Sequence, residues 1–529
     1  MKKSPRLYLL IIACWFAVIA PASIVMVEQI QRAAGVAGYL GALAAISALF
    51  IGFFWLNGTK DIVYTLHYHL VDRRSAEVVP RRIDQAPTAR VVLTYCTCDD
   101  FLADSLLRSM RQDYTNTETV ILDDSRNPAH IAEIDRFAAE HGVRVIRRPD
   151  RAGFKAGNLN NFLRSAEFDY FVILDSDEII PPDFITRALD YFAERRNVGI
   201  VQANHVATRN RNGFMRMFAP GVDSHWIAYQ TVKDRYGFLS LLGHGAMVSR
   251  ECYDAAGGFP HVVAEDLCFS IAARDAGYFT TFAPDIRCEE EFPVNFLAFK
   301  KRHSKWTQGN MEFIKKYTGV ILRCRMNWFE KMDIFMFTYG LPLTAFFSLY
   351  VAIHVIVLPA VGYAIVYPLW MLIPTVAFLL APMLNDVLFH GRGMTTRQLL
   401  SYLGHSVVLY GSMFFISLRS SLASMFGGST FVVTPKGDQH TSIRQAVRAN
   451  RGEIAFGAGL AAISVWLTGS VLPVLLIIGP AILCTFLAFK HNPARRGGTA
   501  THGGPPRARL AWHRRRDRPL KPAPARVGE

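Results

Sequence analysis

Two acidic motifs in the middle of the chain carry residue types that can hold a cation and remove a proton. Asp175 and Asp177 are separated by one residue after an apolar run, so their carboxylates could converge on a hard divalent cation that binds a diphosphate. Asp266 follows Glu265 at the start of a helical pattern and is a candidate general base toward a hydroxyl group. Both motifs also have an ordinary explanation, since aspartate favours turns and helix N-termini.

A lysine-containing segment precedes the first acidic motif and suits an anionic ligand. Lys155 is followed by glycine and two asparagines, at the entry to a helical pattern over 159–165. A lysine, amide donors and a helix N-terminus together are typical of a diphosphate-binding site. We therefore expect this segment and Asp175 to contact the same ligand.

Alternating strand and helix patterns position these residues. Segments 90–95 and 119–122 read as buried strands, 101–111 has helical spacing between them, and 170–174 is a third strand. This is the order of a βαβ unit in a nucleotide-binding sheet. Ligands of such sheets bind beyond the carboxyl ends of the strands, where Asp123 and Asp124 are expected.

Apolar segments frame this region, within a chain of 529 residues that is 51% hydrophobic. Six stretches approach the ~20 residues needed to cross a bilayer. They are 7–27, 36–56, 334–357, 364–384, 454–467 and 471–489. The first could instead be a signal peptide, because Lys2, Lys3 and Arg6 precede it and Ala20-Pro21-Ala22 within it is rich in small residues. Basic residues after the second stretch predict a multi-pass protein whose middle domain and termini are cytoplasmic.

The basic tail explains most of the positive charge. The formal net charge is +15, and the segment from Lys490 to Glu529 contributes eleven basic residues against two acidic ones. Its proline and glycine content favours a disordered arm rather than a nucleic-acid reader, so we predict no nucleic-acid partner. Contact with membrane lipids and a simple solvated tail are both open. Cys96 and Cys98 are interpreted as core residues, because no second pair completes a zinc motif.

Taken together, the motifs resemble those of processive family 2 glycosyltransferases, such as the catalytic subunit of bacterial cellulose synthase and hyaluronan and chitin synthases. The resemblance covers about 77–436. It implies a GT-A α/β domain at 77–321 between transmembrane helices at 1–60 and 322–490, with a UDP-sugar donor and Mg²⁺ or Mn²⁺ as cofactor. The resemblance assigns donor binding to Thr94, Tyr95, Asp124, Lys155 and Asp175. It assigns metal binding to Asp175 and Asp177, and catalysis to Glu265 and Asp266.

A departure from the family appears at 302–306. Where the family has Gln-x-x-Arg-Trp, this chain has Arg302 and Lys305, and only Trp306 is identical. By resemblance, Trp306 and Arg302 contact the acceptor sugar, and Lys305 replaces the arginine that binds the diphosphate. Lysine keeps the charge but loses the bidentate geometry of arginine. The departures leave the acceptor and the linkage open.

A second family feature is Phe431-Val432-Val433-Thr434-Pro435-Lys436, which matches a gating loop that closes over the donor. The resemblance implies that Thr434 and Lys436 contact the donor from a loop at 426–440. We expect 399–425 to be an amphipathic helix in the membrane interface, because Arg419 and its serine neighbours suit the bilayer interior poorly. The loop would then be cytoplasmic.

These observations predict an inverting polysaccharide synthase of the bacterial inner membrane. It would polymerise a UDP-sugar, foremost UDP-glucose, into a β-linked chain and translocate the product, with the growing polysaccharide as acceptor. A transferase that makes a short glycolipid or a non-glucose polysaccharide is the alternative. A channel with a nucleotide-sensing domain would need no general base, so Asp266 argues against that class.

Overall fold

The computed structural model describes residues 3–73, 80, 88–208, 213–340, 342–426 and 441–490. Its seven strands form one sheet. They are β1 (Val91–Thr97), β2 (Thr117–Asp123), β3 (Arg144–Arg147), β4 (Tyr170–Asp175), β5 (Val198–Ala207), β6 (Ala246–Ser249) and β7 (Phe279–Glu290).

Helices occur between the strands and on both sides of the sheet region in sequence. They are α1 (Arg6–Val36), α2 (Gly38–His67), α3 (Ala103–Ser109), α4 (Pro128–His141), α5 (Phe154–Leu163), α6 (Phe184–Glu194), α7 (Gly213–His225), α8 (Thr231–Tyr236), α9 (Arg250–Ala255), α10 (Glu265–Asp275), α11 (Phe296–Arg323), α12 (Trp328–Thr338), α13 (Leu343–Ala352), α14 (Leu358–Ala360), α15 (Leu372–Leu379), α16 (Ala381–His390), α17 (Thr396–Gly411), α18 (Met413–Phe426), α19 (Ile443–Ala449), α20 (Arg451–Thr468) and α21 (Leu475–Lys490).

The sheet is mixed, with strand order β3-β2-β1-β4-β6-β5-β7. Strands β1 to β4 pair in parallel, β6 is antiparallel to both β4 and β5, and β7 is parallel to β5. The start of β6 therefore lies at the same edge as the carboxyl ends of β4 and β5. This edge collects residues from many distant parts of the chain.

Two apolar layers sandwich the sheet, because alternate side chains of a strand point to opposite faces. Leu93 and Val172 belong to one buried cluster, whereas Val92 and Phe171 belong to the other. Strands buried on both faces are almost continuously apolar, and this is why they could be predicted from the sequence. The predicted βαβ unit is confirmed by β1, α3 and β2, and the predicted GT-A-like α/β fold agrees with the mixed sheet.

Five of the described helical segments are long and apolar enough to cross a membrane. They are Arg6–Val36, Gly38–Asp72, Leu343–Ala360, Thr396–Phe426 and Leu472–Phe489. A sixth candidate is the pair Leu369–Leu379 and Ala381–His390, which is bent by 50°. The predicted stretch 454–467 lies in α20, which begins with Arg451 and Glu453 and is outside this set.

The segment 399–425, which we expected in the membrane interface, forms most of the 31-residue candidate span Thr396–Phe426. Its serines have an explanation that the sequence did not indicate. Buried serines of α18 pack against α11, where Ser420 contacts Ser304 at 2.8 Å and Ser417 contacts His303 at 2.7 Å. The interfacial placement stays a prediction.

Candidate functional site

Lys155 and Asp175 meet at the carboxyl edge of the sheet. Helix α5 begins after Gly153, whose φ of +69° is in the left-handed region, so Lys155 lies in the first turn of the helix. Its ammonium donates hydrogen bonds to the Asp175 carboxylate and, at 2.9 Å, to the Gly243 carbonyl. Burial lowers the pKa of Lys155, but the charge of Asp175 outweighs it, and the pKa rises above its ordinary value. Lys155 is therefore a fixed cation.

Glu265 and Asp266 form the first turn of α10, close to the same lysine. A negative charge at a helix N-terminus is favourable, and the Asp266 carboxylate also accepts a hydrogen bond from the Leu267 amide at 2.8 Å. Burial raises the pKa of Asp266. Burial and the Asp266 charge raise the pKa of Glu265 to about 7, against the lowering effect of Lys155 and Lys305. A carboxylate with a raised pKa is a better proton acceptor.

Helix α11 brings Lys305 to this site, and Trp306 is the next residue of the helix. Burial lowers the pKa of Lys305, while the nearby charges of Glu265 and Asp175 raise it in part. Trp306 is exposed, and the guanidinium of Arg302 lies 4.3 Å from the centre of its ring. The exposed aromatic ring is available to a ligand, and Arg302 holds one of its faces.

Asp124 has a structural partner. Both of its carboxylate oxygens accept hydrogen bonds from Arg148, at 2.8 and 2.6 Å, and the pair is nearly buried. Arg148 also donates to the carbonyls of Ala152 and Phe154, on either side of the turn that precedes Lys155. The bidentate pair thus shapes the turn that presents Lys155. No sequence spacing linked Asp124 to Arg148.

The side chains of Thr94 and Tyr95 make structural hydrogen bonds within the sheet and to the turn after β4. Both are fully buried within β1, and the Thr94 hydroxyl donates to the Val172 carbonyl of the neighbouring strand at 2.7 Å. The Tyr95 hydroxyl bonds to the Ser176 carbonyl at 2.9 Å, so it supports the turn that follows β4. Their role in donor binding stays a prediction. Thr434 and Lys436 lie outside the described residues.

Asp175 and Asp177 offer oxygen ligands that fit a hard divalent cation such as Mg²⁺ or Mn²⁺. Asp175 is the last residue of β4 and Asp177 follows it at the carboxyl edge, and the Asp175 side chain is 38% exposed. Asp177 Oδ2 accepts a hydrogen bond from the Glu291 amide at 3.2 Å, which orients the carboxylate. Lys155 contacts Oδ1 of Asp175. The other carboxylate oxygen, Oδ2, lies 3.9 Å from His244 Nε2.

A buried cluster behind Asp175 was missed by sequence reasoning. Glu178, His205, His244 and Glu290 come from four separate segments, with His244 Nε2 3.1 Å and His205 Nδ1 3.0 Å from Glu290. Burial lowers the pKa of His244, but Glu178 and Asp175 raise it well above the ordinary value. The one local signal was His244 itself, which lies between two glycines.

Part of this chain is similar to known glycosyltransferases. Residues 170–418 match the family described as "Glycosyl transferase family group 2". Glucomannan 4-beta-mannosyltransferase 2 of Arabidopsis thaliana is 26% identical over 267 residues, which are 48% of each chain. Glucans biosynthesis glucosyltransferase H of Xylella fastidiosa is 26% identical over 220 residues, 39% of this chain and 34% of that protein.

Among solved structures, the mannosyltransferase PcManGT from Pyrobaculum calidifontis, in complex with GDP-Man and Mn²⁺, is 19% identical with a TM-score of 0.46. The match covers 71% of this chain and 99% of that one. The matches span between a third and a half of the length of the curated relatives, from 34% to 48%.

Proposed function

Because residues 170–418 form a glycosyl transferase family 2 domain, we propose that this chain transfers a hexose from a nucleotide-diphosphate sugar to a growing polysaccharide, with inversion at the anomeric carbon. One observation carries the proposal. A general-base candidate, Asp266, lies in the same electrostatic cluster as two lysines, Lys155 and Lys305, and the diacid-motif residue Asp175. The candidates for proton acceptor, leaving-group cation and metal ligand therefore lie near one another at the carboxyl edge of the sheet.

In the proposed reaction, the acceptor hydroxyl oxygen attacks the anomeric carbon, and Asp266 takes the hydroxyl proton. The bond between that carbon and the diphosphate oxygen breaks, and its electron pair leaves with the nucleoside diphosphate. Lys155 and Lys305 stabilise the charge that develops on the leaving group. A divalent cation held by Asp175 and Asp177 would neutralise further negative charge on the diphosphate.

Trp306 supplies the acceptor platform in this proposal. An aromatic face suits the apolar CH face of a pyranose ring, and 45% of the Trp306 surface is exposed to receive one. Its neighbour Arg302 can hold one side of the indole while the sugar occupies the other. The contacts of α11 with α18 fix this platform beside a candidate membrane span.

We propose UDP-glucose as the donor and a β-linked glucan as the product, translocated through the helices that frame the sheet. The catalytic domain, 77–321, would face the cytoplasm at a bacterial inner membrane. The loop with Thr434 and Lys436 would close over the donor and displace water. A second candidate is mannosyl transfer, because some of the relatives are named glucomannan mannosyltransferases.

The test is a donor panel. The full chain, purified into lipid nanodiscs, would be incubated with radiolabelled UDP-glucose, UDP-N-acetylglucosamine, UDP-galactose and GDP-mannose, with and without chelator. We expect incorporation from UDP-glucose into material that a β-glucanase digests, and loss of incorporation with chelator. Product length on a gel separates a polymerase from a transferase that adds one or two sugars. No incorporation from any of the four donors by folded protein would refute the proposal.

A further inference from the structure

Three side chains that the proposed reaction does not use bring their ligand atoms within 4.8 Å of one another. Glu178 follows β4, His205 lies near the end of β5, and His244 precedes β6. They meet because β6 runs antiparallel between β4 and β5, so that its start lies beside the ends of its two neighbours. Two of the three side chains, Glu178 and His205, are almost inaccessible to solvent.

The inner ligand atoms of the cluster lie close to one another. Glu178 Oε1 and His244 Nδ1 are buried, and neither makes a hydrogen bond within the described part of the chain. His244 Nδ1 lies 3.1 Å from Glu178 Oε2, and His205 Nε2 lies 3.7 Å from Glu178 Oε1. A buried polar atom without a hydrogen bond is unfavourable. A ligand between these atoms would remove that cost.

The opposite nitrogens of both rings are held by one carboxylate. Glu290 Oε2 lies 3.0 Å from His205 Nδ1 and 3.1 Å from His244 Nε2. A carboxylate on the outer nitrogen fixes the tautomer of a metal-binding histidine and turns the other nitrogen toward the ion. This arrangement selects His205 Nε2 and His244 Nδ1 as inner atoms. His205 Nε2 also lies 3.2 Å from the His244 carbonyl, a contact that metal binding would replace.

A glycine keeps the space in front of these atoms open. Gly245 has a φ of +58°, and a Cβ at this position would lie 2.3 Å from Glu178 Oε1 and 2.4 Å from His205 Nε2. Any side chain would therefore fill the space between two of the three ligands. The Gly245 amide also donates to Glu178 Oε2 at 2.9 Å, which orients the carboxylate.

We propose that Glu178, His205 and His244 bind one divalent transition-metal ion, in a site separate from Asp175 and Asp177. Two imidazoles and one carboxylate suit Zn²⁺, Co²⁺, Fe²⁺ or Mn²⁺, whereas Mg²⁺ prefers an all-oxygen shell. The ion ties together the turn after β4, the end of β5 and the loop that offers the Gly243 carbonyl to Lys155. It supports the cleft from behind, and it does not depend on which sugar is transferred.

Metal stoichiometry tests the site without any sugar. The full chain in detergent micelles would be stripped with chelator, loaded with Zn²⁺ or Co²⁺, desalted and measured by elemental mass spectrometry. Four proteins are compared with the native chain: His205→Gln, His244→Gln, the double variant Asp175→Asn/Asp177→Asn, and His225→Asn. His225 stacks on Tyr229 outside the cluster, and so serves as the control histidine.

We expect the two cluster variants to lose one equivalent of Zn²⁺ and the visible absorption of bound Co²⁺. The double aspartate variant and the His225→Asn control should keep both, and excess Mg²⁺ should not displace the ion. Unchanged stoichiometry in both cluster variants would overturn the proposal. So would loss confined to the aspartate variant, because the ion would then belong to the diphosphate site.

Two further measurements keep the outcome interpretable. If His205→Gln or His244→Gln fails to fold by thermal melting, Glu178→Gln replaces it, since the amide keeps the size of the side chain. The donor panel is run on the same preparations. Sugar transfer without the extra metal equivalent contradicts only the metal site, and a bound equivalent without transfer contradicts only the proposed function.

Discussion

Replacing Asp266 by asparagine should remove the proton acceptor while leaving the fold at least as stable. The side chain keeps its size at the start of α10, and the amide oxygen can still accept the hydrogen bond from Leu267. Burial raises the pKa of Asp266 in the folded chain. An acid whose pKa is higher folded than unfolded costs stability at pH values above that pKa. A neutral amide has no such cost, so we expect an equal or higher melting temperature at pH 7.

The loss of activity should be large and confined to turnover. A positioned general base contributes about 10²- to 10⁴-fold, which is about 3–5 kcal/mol of transition-state free energy. Donor affinity should change little, because Lys155 and Lys305 keep their charges. The structure therefore predicts a fall in kcat of at least about 100-fold with an almost unchanged donor Kd.

The assay combines radiolabelled sugar incorporation in nanodiscs, donor binding by calorimetry and thermal melting. Glu265→Gln is measured in parallel as the competing assignment, because it makes the same change of charge at the neighbouring position of the same helix. An Asp266→Asn variant that transfers sugar within about tenfold of the native rate would refute the assignment. A large loss in Glu265→Gln with retained activity in Asp266→Asn would move the base to Glu265.

Four other outcomes follow from particular contacts. Arg148→Ala leaves Asp124 buried without its partner and should lower the free energy of unfolding by about 3–5 kcal/mol, measured by thermal or denaturant melting; a loss below about 1 kcal/mol contradicts it. Trp306→Ala should raise the acceptor KM and leave the donor Kd unchanged, whereas a change in donor Kd alone would place the indole at the donor. Because burial raises the pKa of Asp266, kcat should fall with acid at a pH above the ~3.9 of an ordinary aspartate, and a pH profile flat to that value would exclude this base. Lys436→Ala should lower turnover more than thermal stability, and normal incorporation would remove the gating loop from the mechanism.

The local pattern of apolar residues predicted several of the strands. The apolar runs at 90–95, 119–122 and 170–174 each became a strand within two residues of the predicted ends. Strands buried on both faces are apolar for a physical reason that acts residue by residue, so they can be recognised without knowledge of their neighbours. The same holds for the long apolar helices, whose length is set by the thickness of the bilayer.

Among the site residues, the motifs indicated which segments carry chemistry but not which side chains face the cleft. Lys155 and Asp175 were expected on one ligand, and they are in contact in the structure. Thr94 and Asp124 stand in equally suggestive motifs, yet the first bonds to the next strand and the second to Arg148. The face that a strand residue presents depends on its neighbours in the sheet.

The sequence by itself thus determined the elements and the acidic and basic motifs at their ends, because hydrophobic periodicity and strand termini are local properties of the chain. Only the tertiary structure decided the partners. Antiparallel insertion of β6 between β4 and β5 brings His244 to Glu178, across more than sixty residues of chain, and packing of α11 on α18 orients Lys305 and Trp306. Contacts of this kind follow from strand order and helix packing, which no spacing in one segment encodes.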